Sequence, residues 1–424
     1  MFQTLFRRPL GGSIRLKAEW VSSLSAVKAE EWDRISASAG LYLSRPYLLA
    51  VEESESTISR YLLLRDPSGR LVAGLPTYLW DGRPDPGLDH YEPFEAGARW
   101  VLRRPGHRER WIPTLIAGSR SGYGTQFAVH HDWAAPDRGA IGRLLWDLGG
   151  EADRIGAGSL GVMWLTSAAA RPLAQRLTSP ELLVLAGPNC SIEVGWASFD
   201  GYLAQLSSSR RRSARRELEH FRSSGLRVTR QDLGSCLEQL ASLAVGLQRK
   251  YGHQHSQEAL TGQLQAQARH LNSESRVLLC HRGRRLVAFT LHYRWKGELY
   301  GRLAGFDYSA TAGSDAYFNL AFYEPLRMAL EEGLREFHLG MATWRAKALR
   351  GANFDPAWTL VCPPPRVRAA FGRAARADPV DGARWWARQF PAQVDCDGDW
   401  RWTRQGLLSR ASGADGDFKA GRLP

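Results

Sequence analysis

The clearest pattern of apolar and polar positions in the chain is written twice. Residues 61–80 read YLLLRDPSGRLVAGLPTYLW and residues 276–295 read RVLLCHRGRRLVAFTLHYRW, a gapless match at an offset of 215 with eight of twenty positions identical. Each copy has an apolar run, a turn of the Asp-Pro-Ser-Gly or His-Arg-Gly-Arg kind, and a second run of mixed alternation, which predicts a β-hairpin. In the second copy Lys296-Gly297 turns the chain into a further strand over 298–306, making a three-strand meander. The order of elements behind each hairpin is also the same. Residues 141–152 have helical spacing and 160–165 read as a strand; later, 317–334 predict a longer helix with Leu320, Tyr323, Met328 and Leu330 on one side, Gly333 near its end, and a strand over 336–340.

Strand pair, helix, strand written twice predicts an α/β (α+β) protein of two tandem units, each a mixed, mainly antiparallel sheet flanked by helices. Pro180, Gly187 and Pro188 interrupt the pattern across 179–191, so the units are expected at 1–185 and 186–365. Pro363-Pro364-Pro365 closes the second unit. The tail, 366–424, holds a short basic amphipathic stretch at 367–377 and the Trp385-Trp386 pair.

Composition agrees with two domains. At 424 residues the chain exceeds one ordinary domain of ~100–200 residues. Its 44% hydrophobic and 23% charged residues exclude a disordered polyelectrolyte. Residues 1–17 carry Arg7 and Arg8 without a signal-peptide core, and no run of ~18 apolar residues occurs, so a cytoplasmic protein is expected. The five cysteines are dispersed and read as free thiols. Apart from His130/His131 and His253/His255, both in loop-like sequence, the histidines form no ligand pair, and no metal is expected.

The net charge of +13 becomes informative where it is concentrated. Residues 207–230 hold eight arginines, among them Arg210, Arg211, Arg212, Arg215 and Arg216, against two glutamates. Read as one basic helix, the run stacks like charges a turn apart, a repulsion that a bound anion relieves. Guanidinium groups suit phosphate because they donate paired hydrogen bonds and stay charged. The run reads either as a solvated charged face or as a binding site for RNA phosphates.

Several segments resemble the Fem-type peptidyltransferases and their FemAB-like relatives in the GNAT N-acyltransferase superfamily, over nearly all of 20–362. They are Ser198-Phe199-Asp200-Gly201-Tyr202-Leu203 ahead of the arginine run, Leu299-Tyr300-Gly301-Arg302, the helix start from Tyr317-Phe318 to Tyr323, and Lys347-Ala348-Leu349-Arg350-Gly351, similar to the family's Lys-x-x-Arg-Gly segment. The resemblance implies two tandem GNAT-like domains, with the first on the structural or acceptor side and the second catalytic. It implies transfer of an acyl or aminoacyl group to an amine, with aminoacyl-tRNA or acyl-CoA as co-substrate and no tightly bound cofactor. The segment Arg302-Leu303-Ala304-Gly305-Phe306-Asp307 stands where acetyl-CoA enzymes carry a pyrophosphate-binding loop ending in a small residue. An aspartate there opposes a pyrophosphate and favours aminoacyl-tRNA.

Amide formation needs a group that takes the amine's proton and a positive group near the oxyanion. Lys347, one of six lysines, is the first candidate for the positive group. Asp315 and His338 are candidate proton acceptors, Arg302 and Arg350 candidate anion contacts, and Tyr300, Tyr317 and Tyr323 candidate linings of an acceptor pocket. The expected partners are tRNA and a small amine, a peptide or a cell-wall precursor. Two other readings stay open: an acyl-CoA-dependent N-acetyltransferase, and a GNAT-fold module that binds RNA or a partner without catalysis.

Overall fold

A computed structural model describes residues 1–9, 15–54, 57–82, 111–120, 122–133, 139–179, 182–250, 256–394 and 400. The strands are β1 (Lys17–Val21), β2 (Ile58–Arg65), β3 (Leu71–Trp80), β4 (Thr114–Gly118), β5 (Ala128–Val129), β6 (Ser159–Leu165), β7 (Leu183–Glu193), β8 (Leu226–Gln231), β9 (Ser275–Arg282), β10 (Arg285–Trp295), β11 (Glu298–Phe306), β12 (Glu336–Gly340) and β13 (Asn353–Cys362). They form one hydrogen-bonded sheet in the order β1-β2-β3-β4-β6-β13-β7-β12-β11-β10-β9-β8, with β5 attached to β3.

The sheet reads the same from both edges. From β1 there are three antiparallel steps to β4, a parallel step to β6 and an antiparallel step to β13. From β8 there are three antiparallel steps to β11, a parallel step to β12 and an antiparallel step to β7. Each parallel step needs a crossover, supplied by the helix Ala140–Arg154 in the first half and by 316–331 in the second. Each half then gives its last strand to the other, and the halves join where β7 runs antiparallel to β13.

The interruption expected over 179–191 is therefore largely a strand, and the division at 185/186 falls inside β7. Pro188 faces Pro356, so two residues without an N–H sit opposite each other and neither leaves a donor unpaired. Gly187 takes φ +136° beside them, and the carbonyl of Pro188 accepts from Trp344 Nε1 at 3.0 Å.

Both hairpins lie where the repeat placed them, but not in one register. Ala73 faces Leu64, whereas its counterpart Ala288 faces Cys280, one position further along. The turns account for the slip. The first turn is longer and built on the Asp66 carboxylate, which accepts from the N–H groups of Ser68 and Arg70 at 3.0 and 3.1 Å; the second closes through Gly283 at φ +60°.

Three further expectations need correction. The basic segment 207–230 is not one helix: the helix Ser208–Ser223 stops before Gly225 at φ +73°, and the chain returns as the edge strand β8, with Arg227 and Arg230 exposed. Leu226 and Val228 impose a period of two there, and outward charge suits an unpaired edge. The long helix of the second half is broken by a π-turn, Asn319–Tyr323, and ends at Glu331. Thr290 Oγ1 takes the Leu320 carbonyl at 3.1 Å, which diverts it from the α ladder. Beyond the three prolines the chain continues as one helix, Pro365–Gln389. Its Phe371 and Ala375 enter the core of the first half and its Ala383 and Trp386 that of the second, so it pins the halves together.

Cys190, Cys236, Cys280 and Cys362 are buried free thiols; Cys396 and the His253/His255 pair lie outside the described residues. Among the described residues no helix is long and apolar enough to cross a membrane.

Candidate active site

Four strands at the centre of the sheet carry polar residues on one face. In the register, Glu298, Glu336 and Glu193 stand side by side on β11, β12 and β7, and one row on stand Tyr300, His338, Ser191 and Asn353. Residues two apart on a strand share a face, so both rows belong to one polar surface. Glu298 is its hub. Its carboxylate accepts from Tyr300 Oη at 2.6 Å, lies 3.0 Å from His338 Nε2 and pairs with Arg335. Burial works to raise the Glu298 pKa, but the hydrogen bonds from His338 and Tyr300, the charge of His338 and the bond from Arg335 outweigh it and hold the group at about 2. The Tyr300 ring stacks on the His338 imidazole at 4.3 Å and meets Tyr42 of the first half edge-on at 5.6 Å. Burial and Glu298 push the Tyr300 phenol well above its ordinary range, so it acts as a donor.

The sequence reading placed Tyr300 and His338 but missed Glu298, Glu336 and Glu193. The i, i+2 spacing of Glu298, Tyr300 and Arg302, repeated by Glu336 and His338, was the available signal. Ligand atoms of Glu298, Glu336 and His338 lie within 4.8 Å of one another. Within this group Glu298 Oε2 accepts from Tyr300 Oη at 2.6 Å and lies 3.0 Å from His338 Nε2, with Glu336 Oε2 at 3.7 Å from the same nitrogen. A second close group, His130, His131 and Asp132, is mostly exposed and lies beside Arg70, 3.5 Å from Asp132.

Past Tyr300 and His338 the pairing of β11 and β12 ends, and the strands part. Arg302 follows on β11, half-buried and hydrogen-bonded to Tyr47 of the first half. Arg120, 2% exposed, approaches from the loop behind β4 with its guanidinium 4.6 Å over the Tyr78 ring, and burial draws its pKa down to about 9. The sequence reading did not single it out. Two guanidiniums thus face a group of tyrosines at the seam between the halves.

The loop leaving β11 is filled from within. The Asp307 carboxylate accepts from the backbone N–H groups of Ser309 and Ala310, each at 3.0 Å, and from the Ser309 hydroxyl at 2.6 Å; Arg285 pairs with it at 2.5 Å. The Ser309 hydroxyl, the backbone N–H groups and Arg285 together hold its pKa below the usual range. Free backbone N–H groups in such a loop suit an anion, and here Asp307 occupies two of them. A residue of the chain already supplies the anion.

Lys347 lies on the short helix Trp344–Ala348 and is 4% exposed. Its Nζ donates to the carbonyls of Gly340 at 2.8 Å and Met341 at 2.7 Å, spanning the turn in which Ala342 and Thr343 take positive φ. Two of three ammonium protons hold the end of β12, leaving one for another acceptor. Burial lowers its pKa to about 8.

The other predicted residues pack among the helices of the second half. Arg350 Nη2 pairs with Glu217 of the arginine helix at 2.7 Å, and its guanidinium lies 3.7 Å over the Phe318 ring. Tyr323 Oη donates to the same carboxylate at 2.5 Å. Arg350, expected as an anion contact, and Tyr323, expected as a pocket lining, thereby fasten the arginine helix to the core. Tyr317 packs among Phe306, Phe318 and Phe322. Asp315, at φ +54°, makes no side-chain cap; its carboxylate lies 2.9 Å from His220 Nδ1.

Along Ser208–Ser223 the inward positions are Ala214, Glu217, Leu218 and Phe221. Arg210 reaches the Ala348 carbonyl at 3.0 Å and Arg211 the Ala204 carbonyl at 3.5 Å. Arg212, Arg215 and Arg216 are exposed and make no ion pair among the described residues. Arg215 and Arg222 border a cleft of about 650 Å³ that also includes Phe199, Leu203, Val228 and Arg327.

Comparison with known proteins gives partial likenesses. The FemAB-like family, described as peptidoglycan biosynthesis/recognition, matches residues 153–362. No curated protein matches the chain. Among solved structures, FemX superposes with a TM-score of 0.53 at 10% identity, over 83% of this chain and 100% of that one. A conserved protein of unknown function from Bacteroides thetaiotaomicron gives 0.50 at 13% identity, over 82% and 99%. At such identities the likeness speaks for the fold alone. Residues 153–362, 210 of the 424, are thus similar to the FemAB-like family, and the chain shares the fold of FemX.

Proposed function

We propose that the chain forms an amide by moving an aminoacyl group from its tRNA ester to an amine. The observation that carries the choice of donor is Asp307, whose carboxylate takes two backbone N–H groups of the loop after β11, where the resemblance implies a pyrophosphate in acetyl-CoA enzymes. An added pyrophosphate would meet a fixed negative charge in place of two donors. The exposed arginines 212, 215 and 216 support the same donor, because a cationic helix face suits the phosphates of an acceptor stem, read by shape rather than sequence. In this reading Lys347 stabilises the oxyanion with its remaining proton, the second half holds the donor, and the first half, through Tyr42 and Arg120, borders the acceptor. The family description favours a peptidoglycan precursor or a related peptide amine as that acceptor.

The test is donor exchange. The protein is incubated with charged tRNA or with acyl-CoA and a panel of amines, and amide products are measured by mass spectrometry. Amide from charged tRNA, abolished by RNase, is expected. Amide from acyl-CoA that persists after RNase treatment would overturn the choice of donor.

A further inference from the structure

We infer that His338, oriented by Glu298, is the base that takes the proton from the acceptor amine, so that the acceptor binds on the polar face of β11, β12 and β7. The inference rests on the proposed acyl transfer and adds the place and the means of deprotonation. Glu298 holds a carboxylate oxygen 3.0 Å from His338 Nε2, and the same carboxylate is fixed by Tyr300 Oη and Arg335. A carboxylate held in place in this way accepts from Nε2–H, which leaves Nδ1 with a lone pair for another partner. The Tyr300 ring, stacked on the imidazole, prevents it from turning. The His338 side chain is 22% exposed, buried enough to be positioned and open enough to meet a solute.

Four carboxylates around His338 suit an amine that arrives with a proton. Glu298 faces His338 from β11, Glu336 lies 3.7 Å away on its own strand, Glu193 stands beside Glu336 on β7, and Asp355 approaches from β13. Tyr300 and Ser191 are neutral groups beside it, and the cations Arg335 and Lys296 act on Glu298. During transfer the nitrogen lone pair forms the C–N bond while the ester C–O bond breaks. The ammonium first gives one proton through Nδ1 of His338 to solvent, which frees that lone pair; the second proton, lost by nitrogen as the C–N bond forms, passes to Nδ1 and from there to the departing ribose oxygen, so the imidazole ends neutral. Glu298 acts through His338 and is a positioning residue.

The experiment follows amide formation against pH for the wild type, His338→Ala, His338→Gln and Glu298→Gln, with each fold checked by circular dichroism. A loss of about 10²–10⁴ in kcat, with KM for charged tRNA unchanged, is expected for the His338 variants, the range for removing a general base. The acid limb of the profile disappears with it, and added imidazole restores part of the rate to His338→Ala. Glu298→Gln lowers kcat and responds to imidazole much less. An independent reading comes from 15N NMR of the wild-type histidines, where His338 must show the Nε2–H tautomer. Full activity with an intact acid limb in folded His338→Ala, or an Nδ1–H tautomer, overturns the inference while leaving acyl transfer standing. A wild type that forms no amide from any donor overturns the proposed function instead.

Discussion

Removal of Glu217 offers a sharp test of how the arginine helix is held. Its carboxylate is 13% exposed and receives Arg350 Nη2 at 2.7 Å and Tyr323 Oη at 2.5 Å; the Arg350 side chain is 5% exposed. In Glu217→Ala the guanidinium keeps its bond to the Ala346 carbonyl at 3.0 Å and its place over Phe318, but loses its counter-charge. Removing one partner of a buried pair costs about 3–5 kcal/mol, and these residual contacts put the change near the lower end, ~3 kcal/mol. Tyr323→Phe, which removes one hydrogen bond, costs about 1 kcal/mol. Urea unfolding followed by circular dichroism measures both. A double-mutant cycle with Arg350→Ala isolates the pair, with an expected coupling of roughly 2 kcal/mol. A loss below about 1 kcal/mol for Glu217→Ala, or strict additivity with Arg350→Ala, would refute a buried ion pair as the anchor of this helix.

The arginine face is tested by salt: replacing Arg212, Arg215 and Arg216 with Ala weakens tRNA binding and lowers the slope of log K against log salt by roughly 2–3, measured by filter binding. Lys347, lowered to about 8 by burial, keeps its ammonium below that pH and loses it above, so the rate falls as pH rises through about 8; Lys347→Ala spares tRNA binding, lowers kcat by about 10²–10³ and removes the alkaline limb. Glu298 is held at about 2 against an ordinary 4.5, so its folded form stays ionised where the unfolded form takes a proton. Its contribution to stability is complete above about 4.5 and is lost as pH falls toward 2, and acid unfolding of Glu298→Gln should show a flatter limb there. Asp307→Ala frees the N–H groups of Ser309 and Ala310, and measurable coenzyme A binding by calorimetry is expected to appear; none in either protein would refute Asp307 as the block.

What was legible in the sequence was local. The hairpins, the third strand at Glu298–Phe306 and the strand Glu336–Gly340 follow from alternation and turn residues, and the structure has them where the pattern placed them. Gly187-Pro188 misled because a breaker signal assumes that a proline costs its neighbour a hydrogen bond, and here the neighbour is Pro356, 168 positions away in sequence. The exchange of β7 and β13 between halves rests on such distant pairing, and no window of sequence contains it. Arg350 and Tyr323 looked like site residues because they sit in the family's segments; Glu217 turns them inward, and a glutamate inside an arginine run reads as surface. Glu298 was passed over as the residue after a turn, and became visible only when β12 set His338 beside Tyr300.

The central claim is that the protein holds tRNA as its donor, and the most direct measurement is to isolate the full chain from cells and sequence the RNA that accompanies it. The account predicts tRNA, enriched over the Arg212, Arg215 and Arg216 triple-alanine protein prepared in parallel. Equal RNA in both preparations, or bound coenzyme A with no tRNA, would contradict it.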